Sequence, residues 1–324
     1  MAHAYTPGLK VLQEVKVVKE RRLPLKGDVV VKSGQIVSPE DIVATTDLPG
    51  NVRMVNVANL LNIDAPDIRE VMLLKEGDAV QENGLLAETK GIFGMFKSQA
   101  NSLIDGTIEA ISEVTGQVTL REAPIPVEID AYVSGVVKEV FPEEGVTVET
   151  DAVFIQGIFG IGGENRGSLE VVVESREDEL TVDIITADHA GKILVGGSFI
   201  SLEAYKKALS MNVAGVVVGG FNYHDLEDVL GYTLGVAITG SEDLAASLII
   251  TEGYGNIRMG LRTFDLLREH NGKFASVNGA TQIRAGVIRP EIVIPLSPDE
   301  LKSDHKEIDS SKGIQEGSIV RVIR

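Results

Sequence analysis

Four glycine-bearing turns in the second half of the chain carry the residue types suited to holding a negatively charged ligand. They are Gly196-Gly197-Ser198, Gly219-Gly220 with Asn222, Thr239-Gly240-Ser241, and Glu252-Gly253-Tyr254-Gly255 with Arg258. Each follows a short aliphatic run and precedes a helical pattern. In an open sheet of parallel strands such turns gather at the carboxyl edge, where backbone amides and helix N-termini bind anions. Ser198, Asn222, Thr239, Ser241, Glu252 and Arg258 are then the expected polar lining. The same glycines would equally serve as tight strand-to-helix turns with no ligand. Gly253-x-Gly255 lacks the third glycine of a dinucleotide fingerprint, because Arg258 stands there, so no nucleotide cofactor is expected.

Nothing else in the chain assembles a catalytic set. The five histidines, His3, His189, His224, His270 and His305, are scattered. None forms the i, i+4 pair of a metal-binding helix. Cysteine is absent, which excludes disulfides, thiol catalysis, iron–sulfur clusters and thiolate zinc sites. No nucleophile elbow, Ser-x-x-Lys pair or kinase signature occurs. No catalytic residue, metal or cofactor is expected.

The elements that must position the four turns begin near residue 168. Short strands there alternate with helical periods: 193–195 leads to a helix capped by Ser201, with Leu202, Tyr205 and Leu209 on its apolar face. A strand at 216–218 leads to a short helix stopped by Gly231. A third unit runs from 236–238 into Glu242 and Asp243, acidic residues that suit a helix start. A fourth runs from 248–250 to a helix carrying Ile257, Leu261, Phe264 and Leu267. Repeated units of this length predict an α/β domain over 168–296 with a largely parallel sheet.

Residues 1–167 read as β throughout, apart from helical patterns at 56–61 and just after Pro66. One glycine-aliphatic pattern is written three times. From Gly77 it gives Val80, Leu85 and Leu86; from Gly34, Val37, Ile42 and Val43; from Gly145, Val148, Val153 and Phe154. A second signature, apolar-x-Gly-x-apolar, recurs around Gly50, Gly106 and Gly135. In each copy the first glycine is expected to make a turn, and the later aliphatics the next buried strand.

These repeats resemble the barrel-sandwich hybrid fold of biotinyl and lipoyl carrier domains, over residues from about 27 to 157. The resemblance implies tandem β modules and, in a carrier, a modified lysine at a hairpin. Glu88-Thr89-Lys90-Gly91 occupies the comparable place, which makes Lys90 the position of a lipoyl-type modification. No Asp precedes Lys90, the interval to Gly106 is longer than a carrier hairpin, and biotin's Met-Lys-Met is absent. The segment beyond Lys90 is apolar, with Ile92, Phe93, Met95 and Phe96 between glycines, and its Gly-Ile-Phe-Gly motif returns at 157–160. Such a tip is either an interaction loop or buried core. Residues 297–313 read as a polar linker. Residues 314–324 resemble the first strand of a KOW-type small β-barrel, which predicts that the natural chain continues or that this strand completes a neighbour's sheet.

Composition narrows the partners. The 324 residues carry 48 acidic against 30 basic side chains, a net charge of −18, and only 5% aromatics. The molecule as a whole should repel phosphate backbones, so nucleic acid is not an expected partner. The basic segment from Lys16 to Lys26 reads as a protected edge strand. No apolar run reaches the ~20 residues of a membrane span, and no leader precedes Gly8, so a cytoplasmic setting is expected. The expected function is that of a non-catalytic binding or scaffold protein, assembling with a protein partner or as a homo-oligomer. The alternative is an α/β domain that binds or acts on an anionic small molecule, with the barrels as a lid or swivelling module. A lipoyl-type carrier is the third.

Overall fold

The computed structural model describes residues 9–89, 97–232, 239–240, 242, 244–282 and 288–301. Strands dominate it, in a mixed architecture with short helices. The chain opens with β1 (Val11–Arg22), β2 (Asp28–Val29), β3 (Ile36–Val37) and β4 (Ile42–Leu48). An inserted segment then carries β5 (Val52–Asn56), the short helices α1 (Val57–Leu61) and α2 (Ile68–Val71), β6 (Ala79–Val80), β7 (Leu85–Glu88), β8 (Gln99–Asn101), β9 (Gly106–Ser112) and β10 (Gln117–Arg121). The chain returns through β11 (Ile125–Asp130), β12 (Gly135–Phe141) and β13 (Gly145–Gln156).

Two of the three sequence copies are structural copies. In the outer module β1, β13, β12 and β3 lie side by side; in the inserted one β5, β10, β9 and β6 do the same. Val37 pairs with Gly135 as Val80 pairs with Gly106. Gly34 N–H donates to Val137 O at 2.7 Å as Gly77 N–H donates to Ile108 O at 2.7 Å. Gly34 and Gly77 both stand at positive φ, 82° and 91°, which glycine adopts without a Cβ penalty. Each copy then turns again. Asp41 closes one turn onto Ser38, and Gly84 closes the other onto Gln81 after Asn83 at φ 62°.

The third copy behaves differently. From Gly145 the chain runs on as the single twelve-residue strand β13. The reason is turn chemistry: where the other copies have Ser38-Pro39-Glu40-Asp41 and Gln81-Glu82-Asn83-Gly84, this one has Glu149-Thr150-Asp151-Ala152. It has no proline, glycine or asparagine to break the strand.

The modules are nested, with the inserted one carried between β4 and β11. These strands pair in the register Leu48 to Ile125, and β5 with β10 in the register Val52 to Arg121. Each module has its own core. Val17, Val37, Val43, Val137 and Val148 fill the outer one, and Leu61, Ile68, Leu86, Ile108 and Leu120 the inner. Burying each Val, Leu or Ile stabilises by about 1.5–3 kcal/mol.

The remaining strands are β14 (Phe159–Ile161), β15 (Glu164–Val171), β16 (Glu179–Leu180), β17 (Ile193–Val195), β18 (Phe199–Ile200), β19 (Gly215–Phe221), β20 (Ser247–Tyr254), β21 (Phe274–Asn278) and β22 (Glu291–Pro295). The boundary expected at 167/168 falls inside β15. The main sheet runs β14-β20-β19-β17-β15-β21-β22 and continues through β13 into the outer module, giving 13 strands in one sheet. β15, β17, β19 and β20 are mutually parallel; β14 and β21 run against them.

Alternation along the strands dresses both faces. Leu194, Val216, Val218, Leu248 and Ile250 pack on one side with helix α3 (Leu202–Ser210) and helix α4 (Tyr223–Leu230). Ile193, Val195, Val217 and Ile249 pack on the other with helix α5 (Leu261–Glu269). Among the described residues no helix is long and apolar enough to cross a membrane.

Candidate functional site

Three of the four turns meet at the carboxyl edge of the parallel strands. Gly220 of β19 is level with Phe199 of β18 and Gly253 of β20, with Gly196-Gly197-Ser198 following β17. The glycines there are required by close backbone approach. A Cβ on Gly219 would lie 1.9 Å from Ile257 O, and one on Gly220 1.9 Å from Gly255 O. One on Gly197 would lie 2.5 Å from both Ser175 O and Asp178 O, and one on Gly196 2.9 Å from the Leu180 side chain. Segments 175–180 and 255–259 therefore lie across this edge and turn carbonyl oxygens towards it. Ser198 is buried, its hydroxyl donating to Glu177 O at 2.8 Å.

Two of the helix N-termini at this edge are capped by the chain's own side chains. Ser201 Oγ accepts from Ala204 N at 3.2 Å at the start of α3, and Asn222 Oδ1 from His224 N at 3.2 Å at the start of α4. α5 (Leu261–Glu269) follows Gly260 and has no side-chain cap; Glu252 instead holds the backbone of Gly260, the residue that enters the helix. Glu252 Oε1 accepts from Gly260 N at 2.8 Å and from Thr251 Oγ1 at 3.2 Å. A carboxylate there brings negative charge to the positive end of the helix dipole, which it suits. Arg258 is exposed, with Nη1 3.9 Å from Glu177 Oε1. Gly253 and Gly255 take positive φ values of 154° and 101°.

The fourth turn lies elsewhere. Thr239 bonds to Gly160 and Thr281 on the far side of β14 from β20, through Thr239 Oγ1 to Gly160 O at 2.8 Å and Thr239 N to Thr281 O at 2.9 Å. Gly240 N and Gly162 N both donate to Glu242 Oε2, at 2.6 and 3.1 Å. Gly162 sits beside Ser247, at the amino end of β20. Ser247 and Gly253 are six residues apart on that strand, roughly 20 Å at its usual rise. Thr239 and Gly240 thus do not join the other turns and lie towards the opposite edge. Ser241 lies outside the described residues.

An aromatic group at the carboxyl edge was not anticipated. Tyr254 packs against Phe159 and Tyr223, with ring centroids 5.6 and 5.2 Å apart, and Tyr223 against His224 at 5.8 Å. Burial, and then the neighbouring Tyr223, push the Tyr254 hydroxyl up to about 12. The available signal was the echo at 157–160: Phe159 and Ile161 are buried in β14, so that copy of Gly-Ile-Phe-Gly is core.

Lys90, Ile92, Phe93, Met95 and Phe96 lie outside the described residues, as does 302–324. The strands flanking the first stretch form the hairpin β7–β8, tied at its end by Thr89 N to Ser98 O at 3.0 Å and by the Lys97–Glu88 ion pair at 2.5 Å. In the basic segment each cation has an acidic partner. Lys16 meets Glu149, Lys19 meets Glu291, Arg21 meets Asp130 and Glu164, Arg22 meets Glu144, and Lys26 meets Glu143. Comparison with protein-family models, curated proteins and solved structures returned no match to this chain.

Proposed function

We propose that the chain is a non-catalytic assembly protein, in which two nested barrel-sandwich hybrid modules are carried on an α/β sheet that serves as a rigid base. The observation that carries this reading is the nesting. The hairpin β4–β11 of the outer module holds the inserted module, and the corresponding hairpin of the inserted module, β7–β8, holds the apolar segment with Ile92, Phe93, Met95 and Phe96. An apolar segment carried in the hairpin of the innermost module suits a protein partner or a second copy of the chain.

The internal capping at the carboxyl edge supports the same reading over an anionic ligand, since Ser201 and Asn222 already accept from amides of α3 and α4, and the Glu252 carboxylate lies against Gly260 N just before α5. Size-exclusion chromatography with light scattering tests the proposal. An assembly larger than one chain, dispersed by Phe93→Ser and Phe96→Ser, is expected, while a clean monomer that takes up no partner overturns it. A thermal-shift screen with inorganic phosphate and nucleotides tests the alternative, for which a saturable shift lost in Arg258→Ala would be decisive.

A further inference from the structure

β5 lies at the edge of the inserted module's four-stranded sheet, with β10 beside it and no strand beyond it among the described residues. One rung fixes which of its amides bond to β10. Glu122 N donates to Asn51 O at 2.9 Å, one step past the pair Val52–Arg121, and bonded pairs in an antiparallel ladder recur every second residue. Arg53–Leu120 and Val55–Val118 therefore carry the bonds within the sheet, and the N–H and C=O groups of Val52 and Met54 face outward. Residues 51–54 are exposed without a break, Val52 at 45% and Met54 at 62%. Other edges of this molecule are guarded in the ways that keep open sheets from pairing. β2, β3 and β6 are two residues long. β1 carries Lys16, Lys19, Arg21 and Arg22, and β11 carries Pro126 and Glu128. The edge of β14 is covered, Gly160 N donating to Thr281 Oγ1 and Gly160 O accepting from Thr239 Oγ1. β5 has one charge, Arg53, and it stands at a position bonded to β10.

We infer that β5 is the pairing edge for a second copy of this chain, joined antiparallel across a two-fold axis at Met54. Two observations choose that occupant. The first is charge. The chain has 48 acidic residues, yet none occurs between Asp47 and Asp64, so β5 and the helix after it form a stretch where two copies of net charge −18 do not set acid against acid. The second is register. Pairing centred on Met54 sets Met54 against Met54, Val52 against Asn56 and Arg53 against Val55, and it keeps Val52 and Met54 at bonded positions. Centring it one residue earlier would set Arg53 against Arg53, like charges directly opposite. Centring it one residue later would carry β5 past its end into α1 at Val57. The contact is isologous and closes with two chains. A pair of five-residue strands is small beside a standard interface, so the pairing exchanges and is best read by trapping. It uses no residue of segment 92–96 and does not rest on that segment.

The chain has no native cysteine, so a disulfide can be placed uniquely. In a bonded antiparallel pair the Cα atoms lie about 5.5 Å apart, within reach of a disulfide, so Met54→Cys should link two chains. Val52→Cys is the control. The two copies of position 52 would stand four residues apart, roughly 13 Å along the strands, which is beyond that reach. At equal concentration under mild copper–phenanthroline oxidation, Met54→Cys should give the linked dimer at least tenfold faster than Val52→Cys. Val52→Pro removes an outward N–H and leaves the bonds to β10 in place, so it should slow the Met54→Cys crosslink to the control rate. Should that variant not fold, Val52→Lys, a charge of the kind that guards β1, takes its place. Equal rates for the two cysteine variants, or a Met54→Cys rate that the folded Val52 variant leaves unchanged, overturns the pairing. The crosslink should also survive Phe93→Ser with Phe96→Ser. Its loss there would place the contact in segment 92–96 and overturn the pairing, while a pairing that fails by the rates alone leaves the assembly carried by that segment to its own test.

Discussion

Glu252 accepts from the backbone N–H of Gly260, the residue before α5, at 2.8 Å across a bend of eight residues. The carboxylate thereby fixes the chain where it enters the helix, whose own first amides have no side-chain cap. A hydrogen bond to a charged acceptor contributes about 1.5–3 kcal/mol, so Glu252→Ala should lower stability by about 2 kcal/mol in urea unfolding. Glu252→Gln keeps an acceptor without the charge and should recover part of the loss. A Glu252→Ala protein as stable as the parent would show that this bond does not hold the entry to α5.

Gly219 and Gly255 are glycines for different reasons, and their alanine variants separate them. At Gly219 a Cβ would meet Ile257 O at 1.9 Å, so the backbone of 255–259 must move away. At Gly255 nothing lies within 4 Å, and the only obstacle is φ at 101°. Gly255→Ala should cost about 1–2 kcal/mol of backbone strain. Gly219→Ala should cost on the order of 3 kcal/mol or more, as core overpacking against main chain does. Chemical denaturation of the two variants side by side measures the gap, and equal losses would contradict the close crossing.

Much of the architecture was written in the turns, less in the strands. Gly34 and Gly77 were recognisable because a positive φ is a demand that few residues other than glycine meet, and the structure places both there. Gly145 carries the same spacing, yet the chain runs on from it as the single strand β13, because the spacing of aliphatics is also that of one long strand. Only the missing turn residues at 149–152 distinguish the two. The crowding of 175–180 and 255–259 over the carboxyl edge was not legible, since backbone carbonyls leave no mark in sequence. Nor was the displacement of Thr239 and Gly240, since a strand-turn pattern does not say on which edge its turn will lie. The nesting was legible in principle: Pro49 and Pro124 flank the second copy almost symmetrically.

Alkaline pH should destabilise the fold through two buried tyrosines. Burial, and then the charge of Glu291, hold the Tyr132 hydroxyl well above its ordinary value, and burial does the same for Tyr205. A raised folded-state pKa favours the neutral hydroxyl. The contribution is therefore complete below about pH 10, the ordinary tyrosine value, and shrinks as pH rises beyond it. Tyr132 donates to Glu291 at 3.2 Å and Tyr205 to Ala246 O at 2.8 Å. Tyr205→Phe should cost about 1 kcal/mol at pH 7 while flattening the decline between pH 9 and 11. Urea midpoints across that range provide the check, and a parent curve level to pH 11 would count against it.

The two modules should come apart into separately folding pieces. The inserted module closes its core without help from the outer one, since Ile68, Leu86, Ile108, Val118 and Leu120 bury against each other and their own neighbours. Its ends meet at the rung between Asn51 and Glu122, so a fragment of residues 50–123 has no open sheet to mend. It should give a dispersed amide spectrum and a cooperative thermal transition. The converse deletion is equally specific. Because Leu48 pairs with Ile125, replacing 49–124 by Asn-Gly joins β4 to β11 through a two-residue turn of the kind that hairpins favour. That shortened chain should keep the outer core of Val37, Val43, Val137 and Val148. An unfolded fragment beside an intact deletion would mean that the inserted copy depends on its host, and unfolding of both would mean that the cores are one.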